Sequence, residues 1–294
     1  MSTQTITHRK NFNMYRLVST VERIAVYIVL AFGAFLAIFP FYWMISSSLK
    51  ESYEILQQPP TFWPHTLTIS HYVEVLDSVG IARAFLNSVV VAAGRVVLGL
   101  VIATMVGYAL AKLEFPGKNL LFIVVLALMM IPGFLWLIPL FLLIERYGMI
   151  DTYWGLILPG CVNSFSIFLM RQAFLSVPKD YIDAAIVDGA GQLLILRKIA
   201  FPMVTPMALT LVLVNAFWSW NDFLWPFIVI VHDEMSTLPV ALARWSRMLM
   251  GVGGTTRAGE VMAAATLTAL PIMIIFLIFQ RRFVESLTMT GLKG

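Results

Sequence analysis

The chain has 294 residues, 60% of them hydrophobic and 12% charged, with a mean hydropathy of +0.85 and a net charge of +4. An ordinary soluble domain is about 45–50% apolar and about 25% charged, so a soluble fold is excluded and lipid is the expected solvent. The one cysteine, Cys161, and four scattered histidines exclude an intramolecular disulfide and leave no metal-ligand cluster.

A membrane-spanning helix needs about 20 mostly apolar residues, because the hydrocarbon core is about 30 Å thick. Six stretches qualify in chain order. Ile24–Ile45 carries no charge, and Pro40-Phe41-Tyr42-Trp43 stands where a signal peptide would need small residues, so it is expected to remain as a span. Ala84–Ala111 carries only Arg95; Leu120–Ile144 and Thr152–Met170 carry none. Ile199–Val231 carries only Asp222, with Pro226 as an expected kink, and Val261–Gln280 is free of charge. With the N-terminus inside, the inner segments hold thirteen Lys and Arg and the outer loops six. The positive-inside rule therefore predicts an all-α membrane protein of six transmembrane helices with both termini in the cytoplasm. Residues 1–23 form a cytoplasmic N-terminal segment, 24–282 the six-helix domain and 283–294 a cytoplasmic tail. The outer loop Ser46–Arg83 is rich in aromatic residues and proline, and a second outer loop, His232–Glu260, ends in a glycine-rich run.

Much enzyme chemistry is missing. No G-x-x-x-x-G-K-[ST] segment is present to cradle phosphates, and there is no H-E-x-x-H and no G-x-S-x-G. Only Arg95 and Asp222 put charge at membrane depth, a scarcity that argues against an intramembrane enzyme and against a proton relay of buried carboxylates without excluding an ion-coupled carrier. A transport subunit that draws energy from a separate ATPase needs neither. An ion-coupled secondary transporter acting alone is the alternative, and a membrane anchor with no pathway is a third reading.

The long inner loop, 176–202, is the most informative segment. Pro178 begins a helix at no cost in hydrogen bonds, Asp180 and Asp183 favour its positive end, and Gly189 and Gly191 end it by permitting positive φ. A second short helix is expected over Gln192–Ile199, closed by Pro202. By composition alone, this is also what an ordinary solvated loop contains.

The spacing Asp183-Ala184-Ala185, three residues, Gly189, nine residues, Ile199, one residue, Phe201-Pro202 resembles the EAA loop of binding-protein-dependent ABC importer permeases. That family reads E-A-A, three, G, nine, I, one, L-P; Asp183 and Phe201 are the departures. The resemblance extends through Trp43-Met44, Ser48-Leu49-Lys50, Asn87-Ser88, Gly107-Tyr108-Ala109-Leu110-Ala111, Phe115-Pro116-Gly117, Ile131-Pro132, Ile138-Pro139, Trp220-Asn221 and the tail Gly291-Leu292-Lys293-Gly294. It is to the carbohydrate branch, and to the second, shorter membrane subunit of maltose-permease type.

The resemblance implies ABC type I importer architecture and a non-catalytic subunit for sugars or oligosaccharides in a bacterial or archaeal inner membrane. Its partners would be a second permease, two ABC ATPases that hold ATP and Mg, and an extracytoplasmic sugar-binding protein; this chain would bind no cofactor, metal or nucleic acid. Tyr181, Ile182, Asp183, Ala184, Ala185, Asp188, Gly189, Ala190 and Gly191 would form the coupling helix that docks on an ATPase. Gly291, Leu292, Lys293 and Gly294 would reach between the ATPases, and Gly251, Gly253, Gly254 and Thr255 would contact the binding protein.

Pathway candidates come from the fifth span. Trp218, Trp220, Asn221 and Asp222 set aromatic faces beside amide and carboxylate groups, a combination suited to a sugar ring. The same residues also suit an interfacial aromatic belt. Arg95 is expected to pair with Asp222 or with the partner subunit, ahead of any direct substrate contact. Together with Arg244, Arg247 and Arg257 it nonetheless raises an acidic saccharide as a substrate.

Overall fold

Lipid demands that backbone polar groups be satisfied within the chain, and helices are how this sequence meets that demand. The computed structural model describes residues 4–77, 80–251 and 257–289, with side chains described over 22–77, 80–247 and 257–279; no strand occurs among them. In chain order the helices are α1 (Gln4–Ser48), α2 (Ser52–Ile55), α3 (Ser70–Asp77), α4 (Ile81–Lys112), α5 (Lys118–Met130), α6 (Leu137–Arg146) and α7 (Tyr153–Cys161). They continue with α8 (Ser164–Leu175), α9 (Lys179–Val187), α10 (Gln192–Ile195), α11 (Phe201–Asn221), α12 (Leu224–Val229), α13 (Leu238–Gly251) and α14 (Ala258–Met289). Among the described residues, four continuous helices are long and apolar enough to cross a membrane: 22–48, 81–112, 192–221 and 258–279. The pairs α5/α6 and α7/α8 bring the number to six if each is one bent span.

Three of the expected spans differ from the uninterrupted helices that their composition suggests. The third bends by 100° between α5 and α6. Pro132 has no N–H to donate and pushes Ile131 into extended backbone (φ −83°, ψ 121°). Pro139, by contrast, lies in the first turn of α6, where no donor is needed. The fourth bends by 45° at Val162-Asn163, both extended, and the Asn163 carboxamide then caps α8 by accepting from the N–H groups of Phe165 and Ser166. The fifth ends at Asn221, and α12 is a separate short helix, so the interruption lies at Asp222-Phe223 rather than at Pro226.

The chain divides into two compact units. The first contains the described parts of 1–73 and 253–266. In it the aromatic residues of the segment after α1 fold back onto that helix: Trp63 meets Tyr42 edge-on at 5.5 Å and Phe62 meets Trp43 at 6.1 Å. Lys50 is buried, lies 4.7 Å from the centre of the Trp43 ring and donates to the Thr61 carbonyl. The Glu54 carboxylate accepts from the Thr61 hydroxyl (2.7 Å) and from the His65 N–H.

The second unit contains the described parts of 74–252 and 267–294, with α4 packed on α7, α8 and α11. One core gathers Tyr108, Met170, Phe174, Ile182, Ile195, Val204 and Leu211 towards the Lys112 end of α4. A second, around Val91, Leu156, Trp225 and Val229, lies towards its Ile81 end. There Asn87 is fully used: its amide donates to the carbonyls of Glu234 and Ser236 and its oxygen accepts from the Tyr153 hydroxyl.

Candidate functional site

Two arrangements in the second unit stand apart from simple packing. The first is a cavity of about 270 Å³ lined by Arg95, Gly160, Asn163, Asn215, Trp218, Ser219 and Asp222. Two of the helix interruptions meet here, since Asn163 follows α7 and Asp222 follows α11. Broken backbone at membrane depth is tolerated where it is buried in protein or lines a polar cavity, so the breaks and the cavity account for each other.

Arg95 reaches this cavity from the unbroken α4. Its Nη1 donates to Asp222 Oδ2 at 2.7 Å and its Nε to the Leu156 carbonyl at 2.8 Å, with the Arg95 side chain 8% and the Asp222 side chain 23% exposed. A carboxylate at a helix C-terminus lies at the negative end of the dipole, and the guanidinium offsets that. Gly160 makes room for the pair: a Cβ there would lie 2.5 Å from Arg95 Nε. Asn215 donates to the buried Ser166 hydroxyl at 3.2 Å. Trp218 packs against Phe165 with ring centres 5.8 Å apart and stays 47% exposed. The Ser219 hydroxyl is buried without a hydrogen-bond partner among the described residues.

Of the five pathway candidates, Arg95, Trp218 and Asp222 converge on the cavity. Trp220 and Asn221 do not. Trp220 is buried with its indole N–H donating to the Thr268 carbonyl and Phe85 edge-on at 5.6 Å, and the Asn221 amide donates back to Phe217 within α11. Sequence reasoning missed Gly160, Asn163, Asn215 and Ser219. A signal was present for two of them: Asn215, Trp218, Ser219 and Asp222 follow the spacing of one helical face.

The second arrangement is the 176–202 segment. Helix α9 buries Ile182 and Ala185 in the same core as Tyr108 and Phe174, while Tyr181, Asp183, Ala184 and Asp188 are exposed. Lys112 donates to the Val177 carbonyl at 2.6 Å and the Tyr108 hydroxyl to Gln192 at 2.9 Å, fastening both ends of the segment to α4. The helix ends in a Schellman turn, with the Ala190 N–H on the Ala185 carbonyl, the Gly189 N–H on that of Ile186, and Gly189 at φ +81°. Gly191 is not left-handed (φ −71°); its carbonyl instead accepts from Leu194 and Ile195 at the start of α10. Nor does Pro202 close a separate helix. A π-type turn over Leu196–Ala200 resets the hydrogen-bond register, with the Phe201 N–H on the Leu196 carbonyl, and the chain runs helical from 192 to 221.

The far side of the segment is unusual for a surface among charges. Val187 is 87% exposed, Tyr181, Ile186, Leu193 and Leu194 are further exposed large apolar side chains of the same segment, and Asp180, Asp183, Asp188, Arg197 and Lys198 are exposed in it too. Gly251 ends α13; Gly253, Gly254 and Thr255, and the tail residues Gly291, Leu292, Lys293 and Gly294, lie outside the described residues.

Residues 95–288 match the family described as "Binding-protein-dependent transport system inner membrane component". The chain belongs to that family. It is therefore a multi-pass membrane protein and a transport subunit. It is 37% identical over 267 residues, 90% of this chain and 94% of the relative, to the arabinooligosaccharides transport system permease protein AraQ of Halalkalibacterium halodurans. It is 33% identical over 290 residues to AraQ of Bacillus subtilis, covering 98% of this chain and 99% of that one. Among solved structures it is similar in fold to a chain of a bacterial ABC transporter involved in the import of the acidic polysaccharide alginate, with a TM-score of 0.81, 24% identity, and 90% and 97% of the two chains covered. The ion-coupled alternative finds no support in this family.

Proposed function

We propose that this chain is one of two permease subunits of an ATP-driven, binding-protein-dependent importer of sugars or oligosaccharides in a bacterial or archaeal cytoplasmic membrane. The relatives named for arabinooligosaccharides support the carbohydrate class. Residues 1–23 and 283–294 would be cytoplasmic, flanking the six-helix domain 24–282. The 178–202 segment would then lie on the cytoplasmic side, where partner ATPases hold ATP and Mg.

The observation that carries this reading is the construction of α9. An exposed apolar edge set among charges suits neither lipid nor water, but it suits a cleft on a protein partner. Its buried side is continuous with the core around α4, α8 and α11, so displacement of the docked edge would be passed to the helices that line the cavity. ATP would favour the state in which the ATPases are closed, and the docked segment would carry that preference into the spans. Tyr181, Asp183, Ala184 and Asp188 would face the ATPase, and Ile182 and Ala185 would root the helix. Gly189 and Ala190 would hold the turn, and Gly191 would begin the helix that follows it. The tail 291–294 would reach between the ATPases and residues 251–255 would meet a sugar-binding protein. Arg95, Trp218 and Asp222 would line the path, with the second permease supplying the opposite wall. A cavity of about 270 Å³, just below the usual ~300–1,000 Å³ of ligand pockets, fits half of a shared path.

The test is ATP hydrolysis by the membrane complex purified through a tag on this chain, with the sugar-binding protein added empty or loaded. A copurifying ATPase that is stimulated only by the loaded protein supports the proposal. Asp183→Lys is expected to weaken ATPase retention and Gly189→Pro to uncouple hydrolysis from transport. A chain that comes down alone, under conditions that preserve a known complex, would overturn it.

A further inference from the structure

We propose that the Arg95–Asp222 cavity is a subsite for an uncharged sugar ring, in which Asp222 cancels Arg95 so that the site does not take an anion. This rests on the reading of the chain as a carbohydrate permease and narrows the substrate class at its intramembrane site. A lone arginine at this depth would invite a carboxylate or phosphate. Here its charge is met at 2.7 Å by Asp222 and its Nε is spent on the Leu156 carbonyl. An acidic ligand would meet Asp222 at close range, and it would lose its hydration with no net counter-charge in return.

The remaining groups match a hydroxyl-bearing ligand. Asn163 uses its oxygen to cap α8, which leaves its amide donors for the cavity. Asp222 Oδ2 is taken by Arg95, which leaves Oδ1 as an acceptor. The buried Ser219 hydroxyl, which has no partner among the described residues, can give or accept. A sugar hydroxyl also does both, whereas a carboxylate or phosphate only accepts. Trp218, half exposed at the edge, offers an aromatic face to the C–H side of a ring.

The single native cysteine makes the test direct. In the intact importer complex, Cys161→Ser with Asn215→Cys leaves one thiol on this chain, at a partly buried position in the cavity lining. Its labelling by cationic and anionic methanethiosulfonates of similar size is read by mass spectrometry of this chain. The ratio of the two rates is expected to match that at an exposed reference cysteine. Adding Asp222→Asn should shift it about tenfold or more towards the anionic reagent, as an uncancelled charge a few ångströms away requires. A neutral hexose or pentose disaccharide should slow labelling, and a galacturonate disaccharide should not until Asp222 is neutralised.

Protection by the galacturonate with Asp222 intact would overturn the proposal. So would an unprotected thiol with every sugar while the loaded binding protein still stimulates hydrolysis, and that result would leave the importer reading standing. Loss of stimulation with every sugar would instead strike the importer reading, and the labelling ratio would still decide the charge of the cavity. If Asn215→Cys does not fold, the fluorescence difference between the native and Trp218→Phe complexes, titrated with the same sugars, gives the same decision.

Discussion

The cavity and the 176–202 segment solve opposite problems with the same few residue types. In the cavity, charge is turned inward and cancelled: Arg95 and Asp222 meet within a wall of helices. In the 176–202 segment the charges are exposed and unburied apolar side chains stand among them, Val187 most of all. The difference shows that exposure alone has no fixed meaning in a membrane protein. An exposed leucine on a span asks for lipid or a second permease, but an exposed valine between aspartates asks for a protein cleft. It follows that damage to the cavity should be felt first as lost stability, and damage to the α9 edge first as lost coupling.

The largest effect is expected at the ion pair. Asp222→Ala leaves the Arg95 guanidinium buried without its counter-charge, a change that costs about 3–5 kcal/mol in soluble proteins. The detergent-solubilised protein should melt many degrees lower. Adding Arg95→Ala should recover a substantial part of the loss, because the cost lies in the orphaned charge more than in the missing bond. Equal and additive losses in the two single variants would mean that the pair contributes nothing jointly. Gly160→Ala, whose Cβ would press on Arg95 Nε, should move Tm in the same direction by a smaller amount.

Val187→Glu inverts the comparison. The side chain is 87% exposed, so the stability of this chain should change by no more than about 0.5 kcal/mol. ATPase retention by the tagged complex should nonetheless fall about tenfold or more, as burying an unpaired carboxylate in an apolar cleft requires. Normal retention would remove α9's exposed edge from the interface.

Most of the spans are legible in the sequence because lipid tolerates little else, and the charge-free stretches stand out at once. The interruptions are harder to read. Pro132 announces one, but Asn163 and Asp222 sit in short polar clusters (Asn163-Ser164, Asn221-Asp222) that a membrane helix can also carry, and only the fold shows that they interrupt helices beside the same cavity. Pro202 misleads for a different reason, since a π-type turn just before it supplies the register that lets the helix continue. At Gly189 local chemistry suffices, because a helix ending with a left-handed residue selects glycine whatever surrounds it. At Gly191 the same inference fails, because the residue begins the next helix instead. Trp220 and Asn221 show why composition cannot assign a pathway: on a helix, neighbours in sequence face different directions.

Gly189→Ala tests how far coupling depends on the shape of the turn. No atom lies within 4 Å of a Cβ built there, so the cost is conformational, about 1–2 kcal/mol for left-handed backbone. The expected result is a complex that assembles and hydrolyses ATP but transports less sugar per ATP, with Tm lowered by a few degrees at most. An unchanged transport-to-hydrolysis ratio would mean that the docked edge works without this turn.

The smallest effect concerns Glu54, which extends the comparison to a buried carboxylate held mainly by neutral donors. Burial alone would raise its pKa, but the Thr61 hydroxyl, the His65 N–H and the charges of His65 and Lys50 outweigh that and hold it below the ordinary carboxylate range. A carboxyl whose pKa is lower folded than unfolded stabilises the fold above its unfolded value, and that contribution is lost as pH falls through the folded value. Backbone hydrogen exchange in residues 49–65, corrected for intrinsic rates, should therefore be steady from about pH 7 to 5 and accelerate below about pH 4.3. Glu54→Gln should flatten that acid response while raising the baseline, since an amide cannot accept from both Thr61 and His65 as strongly. An acid response that survives the substitution would shift the origin of the effect to another carboxylate of the segment, and the hydrogen bonds around Glu54 would then be packing detail only.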